Sequence, residues 1–237
     1  MRRERISSWL LFALVLASGL SSAQEGPSAG AAGELRLRIV SSQPGKTRPV
    51  PAVIWLDPLQ GTTAPGFTPQ GRYTLLQKNR TFIPHLQVIP VGSVVQFPNA
   101  DPFFHNVFSL FDGKRFDLGL YEAGSSKSVT FSREGVSYIF CNIHPEMSAV
   151  ILTLSTPLYA IADAAGSFDL RAIPPGEYKL RFWIEGVPQP VLAGLDRRVH
   201  LSAHTVDLGE IRAPISAERA HKNKFGNAYS PEPQQSY

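Results

Sequence analysis

The stretch IFCNIHPEMSAVI, residues 139–151, places three potential metal ligands close together in the chain: Cys141, His144 and Met147. The whole sequence of 237 residues contains one cysteine and two methionines, so this grouping is not a product of composition. Each residue alone has an ordinary explanation. A lone cysteine is usually a small buried apolar residue, a loop histidine is usually solvated, and a methionine usually fills space in a core. The spacing of the three is what favours a metal site.

The residues on either side predict two strands joined by a short loop. Tyr138 to Cys141 and Ala149 to Leu154 have strand-like apolar patterns, and Pro145 stops the intervening residues from continuing either strand. A short loop between neighbouring strands can direct its side chains toward one point. A thiolate, an imidazole and a thioether are therefore predicted to converge, and two of these three are soft ligands that suit copper.

A second imidazole is available upstream, in the stretch FPNADPFFHNVF, residues 97–108. His105 follows a turn-forming segment and begins an apolar run, which places it at the mouth of a loop beside a strand. With Cys141, His144 and Met147 it completes the two imidazoles, thiolate and weak axial thioether of a blue copper centre, a class of site used for electron transfer. Zinc is the alternative metal, but it prefers four strong ligands or an open position and gains little from a thioether.

These motifs resemble the cupredoxins of the plastocyanin and amicyanin type. CNIHPEM is similar to the amicyanin-like ligand loop, HNV at His105 is similar to the first-histidine motif, and the resemblance extends over residues 82–154. It implies that the four residues named above hold one type 1 copper ion and that His144 lies nearest the surface as the exit for the electron. It also implies that Asn106 ties the two ligand loops together through hydrogen bonds.

More closely, the chain resembles methylamine-utilisation-type plastocyanin-like proteins of bacteria. In those proteins a cupredoxin domain is followed by a small carboxypeptidase-regulatory-like, transthyretin-like sandwich, and DAAGSFDLRAIPPGEYKLRFW, residues 163–183, is similar to the signature of that module. The resemblance implies a structural or interaction role for the module, without peptidase activity. No residue pattern in the chain recognises methylamine.

The remaining sequence predicts an all-β protein, because short alternating runs are separated by Gly, Pro, Asn and Asp. We expect a cupredoxin Greek-key sandwich over residues 33–156, a small transthyretin-like β-sandwich over residues 157–213, and a disordered tail over residues 214–237. The strand-like runs at residues 34–39 and 52–56 fall within the first of these units.

The first 23 residues are typical of an export signal. Three arginines precede a short apolar run at residues 9–20, and small residues follow it. The expected location is therefore the periplasm, with no stable membrane insertion once the signal is cleaved. A signal retained as an anchor is the alternative.

Composition excludes several classes of function. The chain has 23 basic and 19 acidic residues, a balance that predicts no nucleic-acid partner. One cysteine cannot form an internal disulfide or a binuclear copper-A centre, and no clustered His-x-His pairs indicate a multicopper oxidase. A nucleophilic Cys–His enzyme, with Cys141 paired with His144 or His105, is a further alternative, but no family signature supports it and the position of Met147 would be unexplained.

The predicted function is that of a one-electron carrier between periplasmic redox partners, and not an enzyme. The alternative is a copper-sequestering, copper-delivering or scaffolding module. Phe103 and Phe104 are interpreted either as an apolar rim on which a redox partner docks or as core packing beside the ligand loop.

Overall fold

The computed structural model describes residues 32–42, 50–110, 113–215 and 222–229, and these residues are mostly β-structure. The predicted export signal, residues 1–23, lies outside the described residues. Within the described residues, no helix has the length and apolar character needed to cross a membrane.

Seventeen strands and one short helix make up the described structure. The first nine strands are β1 (Gly33–Ser41), β2 (Ala52–Pro58), β3 (Tyr73–Thr74), β4 (Leu76–Lys78), β5 (Thr81–Ile83), β6 (Leu86–Pro90), β7 (Ser93–Pro98), β8 (His105–Ser109) and β9 (Phe116–Tyr121). The later elements are β10 (Ser126–Phe131), β11 (Gly135–Phe140), β12 (Ser148–Leu154), β13 (Tyr159–Ile161), β14 (Ser167–Ile173), β15 (Gly176–Ile184), α1 (Gln189–Leu195), β16 (Arg197–Leu201) and β17 (Thr205–Ala213).

Helix α1 is the one departure from the predicted all-β class in the described part of the chain. It has seven residues, a proline in its first turn and a single buried side chain, that of Leu192. Proline is well tolerated in the first turn of a helix because its missing N–H has no partner there. A helix of seven residues with one buried side chain is too short to show a helical apolar periodicity, so the sequence did not predict it.

One sandwich carries the predicted ligands, and we call it the ligand sandwich. Its sheets have the strand orders β6-β12-β11-β8-β9 and β10-β7-β3, and the small hairpin β4-β5 lies beside them. The side chains between the sheets form one buried core, to which Cys141 and Met147 belong. The other buried members of this core are Leu75, Phe82, Ile89, Val95, Phe97, Val107, Tyr121, Val129, Phe131, Ile139, Ala149 and Ile151.

The remaining strands form the second sandwich, with the strand orders β14-β1-β17 and β13-β2-β15-β16. Strand β1 lies antiparallel to β14 and parallel to β17, with Ile39 opposite Ile211. Strand β2 lies antiparallel to β15, with Ile54 opposite Phe182. These four side chains are buried in the apolar core of the second sandwich.

The strand pairing differs from the expected division at residues 156 and 157. The prediction placed residues 33–58 with the ligand sandwich, whereas β1 and β2 pair with strands that follow residue 158. The alternation of β1 and the continuous burial of β2 predict strands, but an apolar strand face packs equally well on any suitable sheet. Which sheet it joins depends on residues more than a hundred positions away.

Strand β12 connects the two cores because both of its faces are buried. Ala149 and Ile151 point into the ligand sandwich, while Val150, Leu152 and Leu154 belong to the core of the second sandwich. A strand covered on both faces has a continuous apolar sequence, as AVILTL shows. The described residues after residue 30 accordingly form one compact unit.

Two polar contacts also join the sandwiches. The ring of His85, next to β6, has its Nε2 atom 2.6 Å from Oε1 of Glu185 at the end of β15, and its Nδ1 atom 3.1 Å from the carbonyl oxygen of Ser148. The indole of Trp183 donates to the hydroxyl of Tyr138 at 3.2 Å. The Nε2 contact of His85 therefore joins the two sandwiches, while its Nδ1 contact orients the ring within the ligand sandwich.

Candidate metal centre

His105 occupies the first position of β8 and is completely buried. Its Nε2 atom lies 2.8 Å from Oδ2 of Asp101. A carboxylate accepts hydrogen bonds, so the ring proton resides on Nε2 and Nδ1 keeps its lone pair. The tautomer that Asp101 selects is the one that can bind a metal through Nδ1.

A tight hairpin turn holds Asp101 in place. Asn79 and Arg80 join β4 to β5, and both have φ of 54°. Two consecutive positive φ values are the signature of a type I′ turn. The turn directs both backbone amides at Asp101, with the Asn79 amide 2.6 Å from Oδ1 and the Arg80 amide 3.0 Å from Oδ2.

The carboxylate of Asp101 stays ionised although it is buried. Burial acts to raise its pKa, but the hydrogen bonds from the Arg80 amide, from His105 and from the Asn79 amide outweigh it and lower the pKa below the ordinary value. A negative charge next to His105 is therefore favoured at neutral pH.

The loop between β11 and β12 carries the other three predicted ligands. The Cys141 amide donates to the Met147 carbonyl at 3.3 Å, and the Met147 amide donates to the His144 carbonyl at 3.1 Å. These bonds close the loop into a tight turn, as Pro145 predicted. Cys141 and Met147 are completely buried, whereas His144 is half-buried.

Three donor atoms from the two segments converge on one point. Cys141 Sγ lies 3.8 Å from His105 Nδ1 and 3.5 Å from His144 Nδ1, and the two Nδ1 atoms are 3.1 Å apart. Nitrogen and thiolate ligands bound at about 2.0 and 2.3 Å to a first-row metal ion are separated by distances of this size. His105, Cys141 and His144 supply two imidazoles and a thiolate at this point, and Met147, completely buried at the end of the same loop, supplies the thioether of the predicted set. The set is typical of a type 1 copper site.

The electrostatics of the copper site favour ligation by the forms that metals bind. Burial raises the pKa of the Cys141 thiol, but the backbone amides of Asn106, Ile143 and His144 point at the sulfur and favour its thiolate. Burial, with the neighbouring His105, lowers the pKa of His144 and keeps that imidazole neutral. The surroundings therefore fit a cation that replaces the thiol proton.

Aromatic side chains border the copper site on its exposed side. The ring of Phe103 lies 5.2 Å from that of His105 and 5.6 Å from that of His144, measured between centroids. Phe104 next to it is 55% exposed, and Ile143 in the ligand loop is 43% exposed. Phe103 thus packs against the ligands, while Phe104 contributes apolar surface beside them.

Asn106 connects the ligand segments in a different way from the one that the resemblance implied. Its side-chain amide donates to Oδ1 of Asp117 on β9 at 2.8 Å, so the side chain ties β8 to its neighbouring strand. The link to the ligand loop comes from the backbone amide of Asn106, which points at the sulfur of Cys141. The orientation of the side chain follows from Asp117, whose position near residue 106 depends on the pairing of β8 with β9.

Residues 222–229 lie against the ligand loop. The sequence predicted disorder over residues 214–237, but here Asn223 Oδ1 accepts 3.0 Å hydrogen bonds from the amides of Phe225 and Asn227, and the hydroxyl of Tyr229 donates to the Cys141 carbonyl at 2.7 Å. A polar segment that is held by individual hydrogen bonds has no apolar periodicity, so its ordered structure could not be predicted from the sequence. Residues 216–221 and 230–237 are outside the described ranges.

Comparisons with known proteins found no matching family model and no matching curated protein. Among solved structures, a purple cupredoxin from Nitrosopumilus maritimus is 23% identical, with a TM-score of 0.32, and the match covers 35% of this chain and 99% of that one. A copper-containing nitrite reductase from Thermus scotoductus SA-01 is 23% identical over 50% of this chain and 28% of its own, with a TM-score of 0.35. An oxidised amicyanin variant is 18% identical over 35% of this chain and 83% of its own, with a TM-score of 0.34. These matches are distant in both sequence and structure. The assignment of copper therefore depends on the four side chains themselves.

Three of the predicted ligands, His105, Cys141 and His144, converge in the structure, but sequence reasoning missed the residues that position them. Asp101 was visible only as part of a turn-forming Asn-Ala-Asp-Pro segment, because outside a helix a spacing of four residues does not by itself bring two side chains together. Asp117, Lys224 and Tyr229 had no such signal, because no rule of local spacing connects them to the ligands.

Proposed function

We propose that this chain is an exported type 1 copper protein that carries one electron at a time between redox partners in the periplasm. The observation that carries the proposal is the convergence of His105 Nδ1, Cys141 Sγ and His144 Nδ1 within 3.8 Å of one another in a largely buried site. The location is supported by the signal-like residues 1–23. Residues 73–154 would be the cupredoxin domain.

The protein's contribution is to hold the ligands in place. Copper, when bound, supplies a one-electron couple, with thiolate and imidazoles favouring the oxidised ion and the thioether the reduced one. Asp101 fixes the tautomer of His105, and backbone amides support the thiolate of Cys141. Burial excludes water from three of the four ligands. A site arranged in this way changes little in geometry when an electron enters or leaves.

His144 is the proposed route for the electron because it is the one ligand that is not completely buried. Phe104 and Ile143 provide exposed apolar surface next to it. A small apolar area around a redox group permits brief docking, since it offers contact area without strong ion pairs to hold the complex together. The proposed partner is therefore a redox protein with an apolar face.

The second sandwich is proposed to be the carboxypeptidase-regulatory-like module that the sequence resembles. Its two sheets of three and four strands support that assignment. The module includes β1 and β2 from the N-terminal side, so it is discontinuous in the chain.

Reconstitution with copper tests the proposal directly. The purified apoprotein should turn intensely blue when Cu(II) is added, because a thiolate bound to Cu(II) absorbs strongly in the visible range. The variant Cys141→Ser retains the side-chain size but has no sulfur and should stay colourless. Met147→Leu, which removes only the weak axial donor, should still give a coloured protein. A wild-type protein that takes up copper without colour, or binds zinc in preference to copper, contradicts the proposal.

A copper-delivery or scaffolding role is the second candidate, favoured by the presence of seven strands outside the ligand sandwich, which a simple carrier does not need. The two roles differ in how fast copper leaves. In a carrier, electron self-exchange between oxidised and reduced molecules should be fast. The carrier should also keep its copper in the presence of a Cu(I) chelator. A delivery protein should lose copper to the chelator quickly and show slow electron self-exchange.

A further inference from the structure

We propose that residues 222–229 are a strap that holds the two ligand segments together and controls the opening of the ligand loop. This inference rests on the proposed function, in that it concerns the same site. It adds two positioning residues, Lys224 and Tyr229, that lie more than eighty residues beyond Cys141 in the chain.

Tyr229 contacts the ligand loop at its first residue. The hydroxyl donates to the carbonyl oxygen of Cys141 at 2.7 Å. Burial raises the pKa of this phenol, so it remains a donor at neutral pH. The Cys141 amide already bonds to the Met147 carbonyl inside the loop, so the peptide groups on both sides of the ligand are restrained.

Lys224 makes two contacts that bridge the ligand segments. Its backbone amide donates to Oδ1 of Asn142, the residue after the cysteine, at 3.0 Å. Its ammonium group donates to Oδ2 of Asp117 at 2.8 Å. The other oxygen of Asp117 accepts from the side chain of Asn106, which follows the ligand His105. A chain of contacts thus runs from the His105 strand through Asp117 and Lys224 to the cysteine loop.

Asp117 is suited to the centre of this chain. Its two oxygens accept three bonds, from Asn106, from the Gly119 amide and from Lys224. Burial acts to raise the pKa of Asp117, but these bonds outweigh it and lower the pKa below the ordinary value. The carboxylate therefore remains charged and pairs with Lys224.

The strap also has its own internal support. Asn223 Oδ1 accepts from the amides of Phe225 and Asn227, and the amide of Gly226 donates to the Asn223 carbonyl at 2.9 Å. This turn supports the backbone on both sides of Lys224 without involving any of the predicted ligands. The hydrogen bonds that join the strap to the ligand segments are polar contacts at the surface of the ligand sandwich, so the strap can open without unfolding either core.

The strap has a consequence that can be measured without any metal. The thiol of Cys141 is completely buried, so a thiol reagent reaches it only when the ligand loop opens. Each hydrogen bond that must break before opening makes opening rarer. Removing one such bond should raise the rate of modification about two- to tenfold. Copper release to a chelator requires the same opening and should accelerate by a similar factor.

The experiment compares Tyr229→Phe and Lys224→Met with two matched controls in the second sandwich. Tyr178→Phe removes a hydroxyl that donates to the Pro174 carbonyl at 2.8 Å, and Lys179→Met removes an ammonium 3.1 Å from Asp196. The controls lose the same kinds of bond away from the strap. We measure the rate of Cys141 modification in each full-length apoprotein and the rate of copper release in each loaded protein.

The proposal is supported if the strap variants accelerate Cys141 modification while the controls match the wild type. Unchanged rates in the strap variants, or an equal acceleration in the controls, overturn it. Because the thiol measurement uses apoprotein, it tests the strap even if the protein proves not to be a blue copper protein. A colourless copper-loaded wild type would instead count against the proposed function alone.

Discussion

At the scale of single residues, Asp101 links the backbone to the site. Its carboxylate accepts hydrogen bonds from the two backbone amides of the Asn79–Arg80 turn and from Nε2 of His105. Its carboxylate is 5% exposed, so solvent weakens its effect on the imidazole very little. A negative charge hydrogen-bonded to a ligand makes that ligand more basic and stabilises the higher oxidation state of the metal.

The variant Asp101→Asn should raise the reduction potential of the copper-loaded protein and weaken its affinity for Cu(II) about 10- to 100-fold. The amide is nearly the same size but removes the charge, and it can present a donor instead of an acceptor to His105. Redox titration and competition with a chelator measure the two effects. Asp169→Asn, at an exposed site on β14, is the control and should change neither. An unchanged potential in Asp101→Asn would show that the carboxylate only supports the loop.

At the scale of elements, β12 is the strand on which both cores depend. Ile151 faces the ligand sandwich and Leu152 faces the second sandwich, and each is at most 1% exposed. The strand pairs antiparallel with β11 and parallel with β6. It thereby supports the end of the ligand loop from one face while it supports the second sandwich from the other.

Leu152→Ala should lower the free energy of unfolding by about 2–5 kcal/mol, as much as Ile151→Ala, because both leave a cavity in a packed core. If β12 faced solvent on its outer side, Leu152→Ala would have little effect. Urea denaturation followed by circular dichroism measures the change. Leu120→Ala is the control, since Leu120 is 59% exposed, and its change should stay within about 0.5 kcal/mol.

At the scale of the whole molecule, the two sandwiches share strand β12 and the described residues after residue 30 form one compact unit. The second sandwich takes β1 and β2 from one side of the ligand sandwich and β13 to β17 from the other. Cutting the chain after the last strand of the ligand sandwich, β12, therefore separates β1 and β2 from the later strands with which they pair.

A fragment of residues 33–156 should not fold as a soluble monomer. It keeps β1 and β2 but loses β13 to β17, which contain the neighbours of both strands, and it uncovers the outer face of β12. Unpaired strand edges and a large exposed apolar area favour aggregation. Size-exclusion chromatography and thermal unfolding test this. A monomeric fragment that unfolds cooperatively at the melting temperature of the full chain would contradict it.

The ligands were predictable because they depend on local features. Cys141 and His144 are three positions apart at one short loop, where Pro145 prevents a continuous strand, and His105 follows a recognisable turn. The residues that position them were less visible. Asp101 acts through side-chain geometry within a turn, and Asp117 acts through strand pairing between β8 and β9.

The sequence by itself determined the chemistry of the site, the strand-rich class of the chain and the position of most strands, because each depends on the types and spacing of neighbouring residues. Only the tertiary structure decided that β1 and β2 belong to the second sandwich and that residues 222–229 contact the ligand loop. The physical reason is the same in both cases. An apolar strand face or a single hydrogen-bond donor is compatible with many partners, and the partner is chosen by the packing of the whole chain.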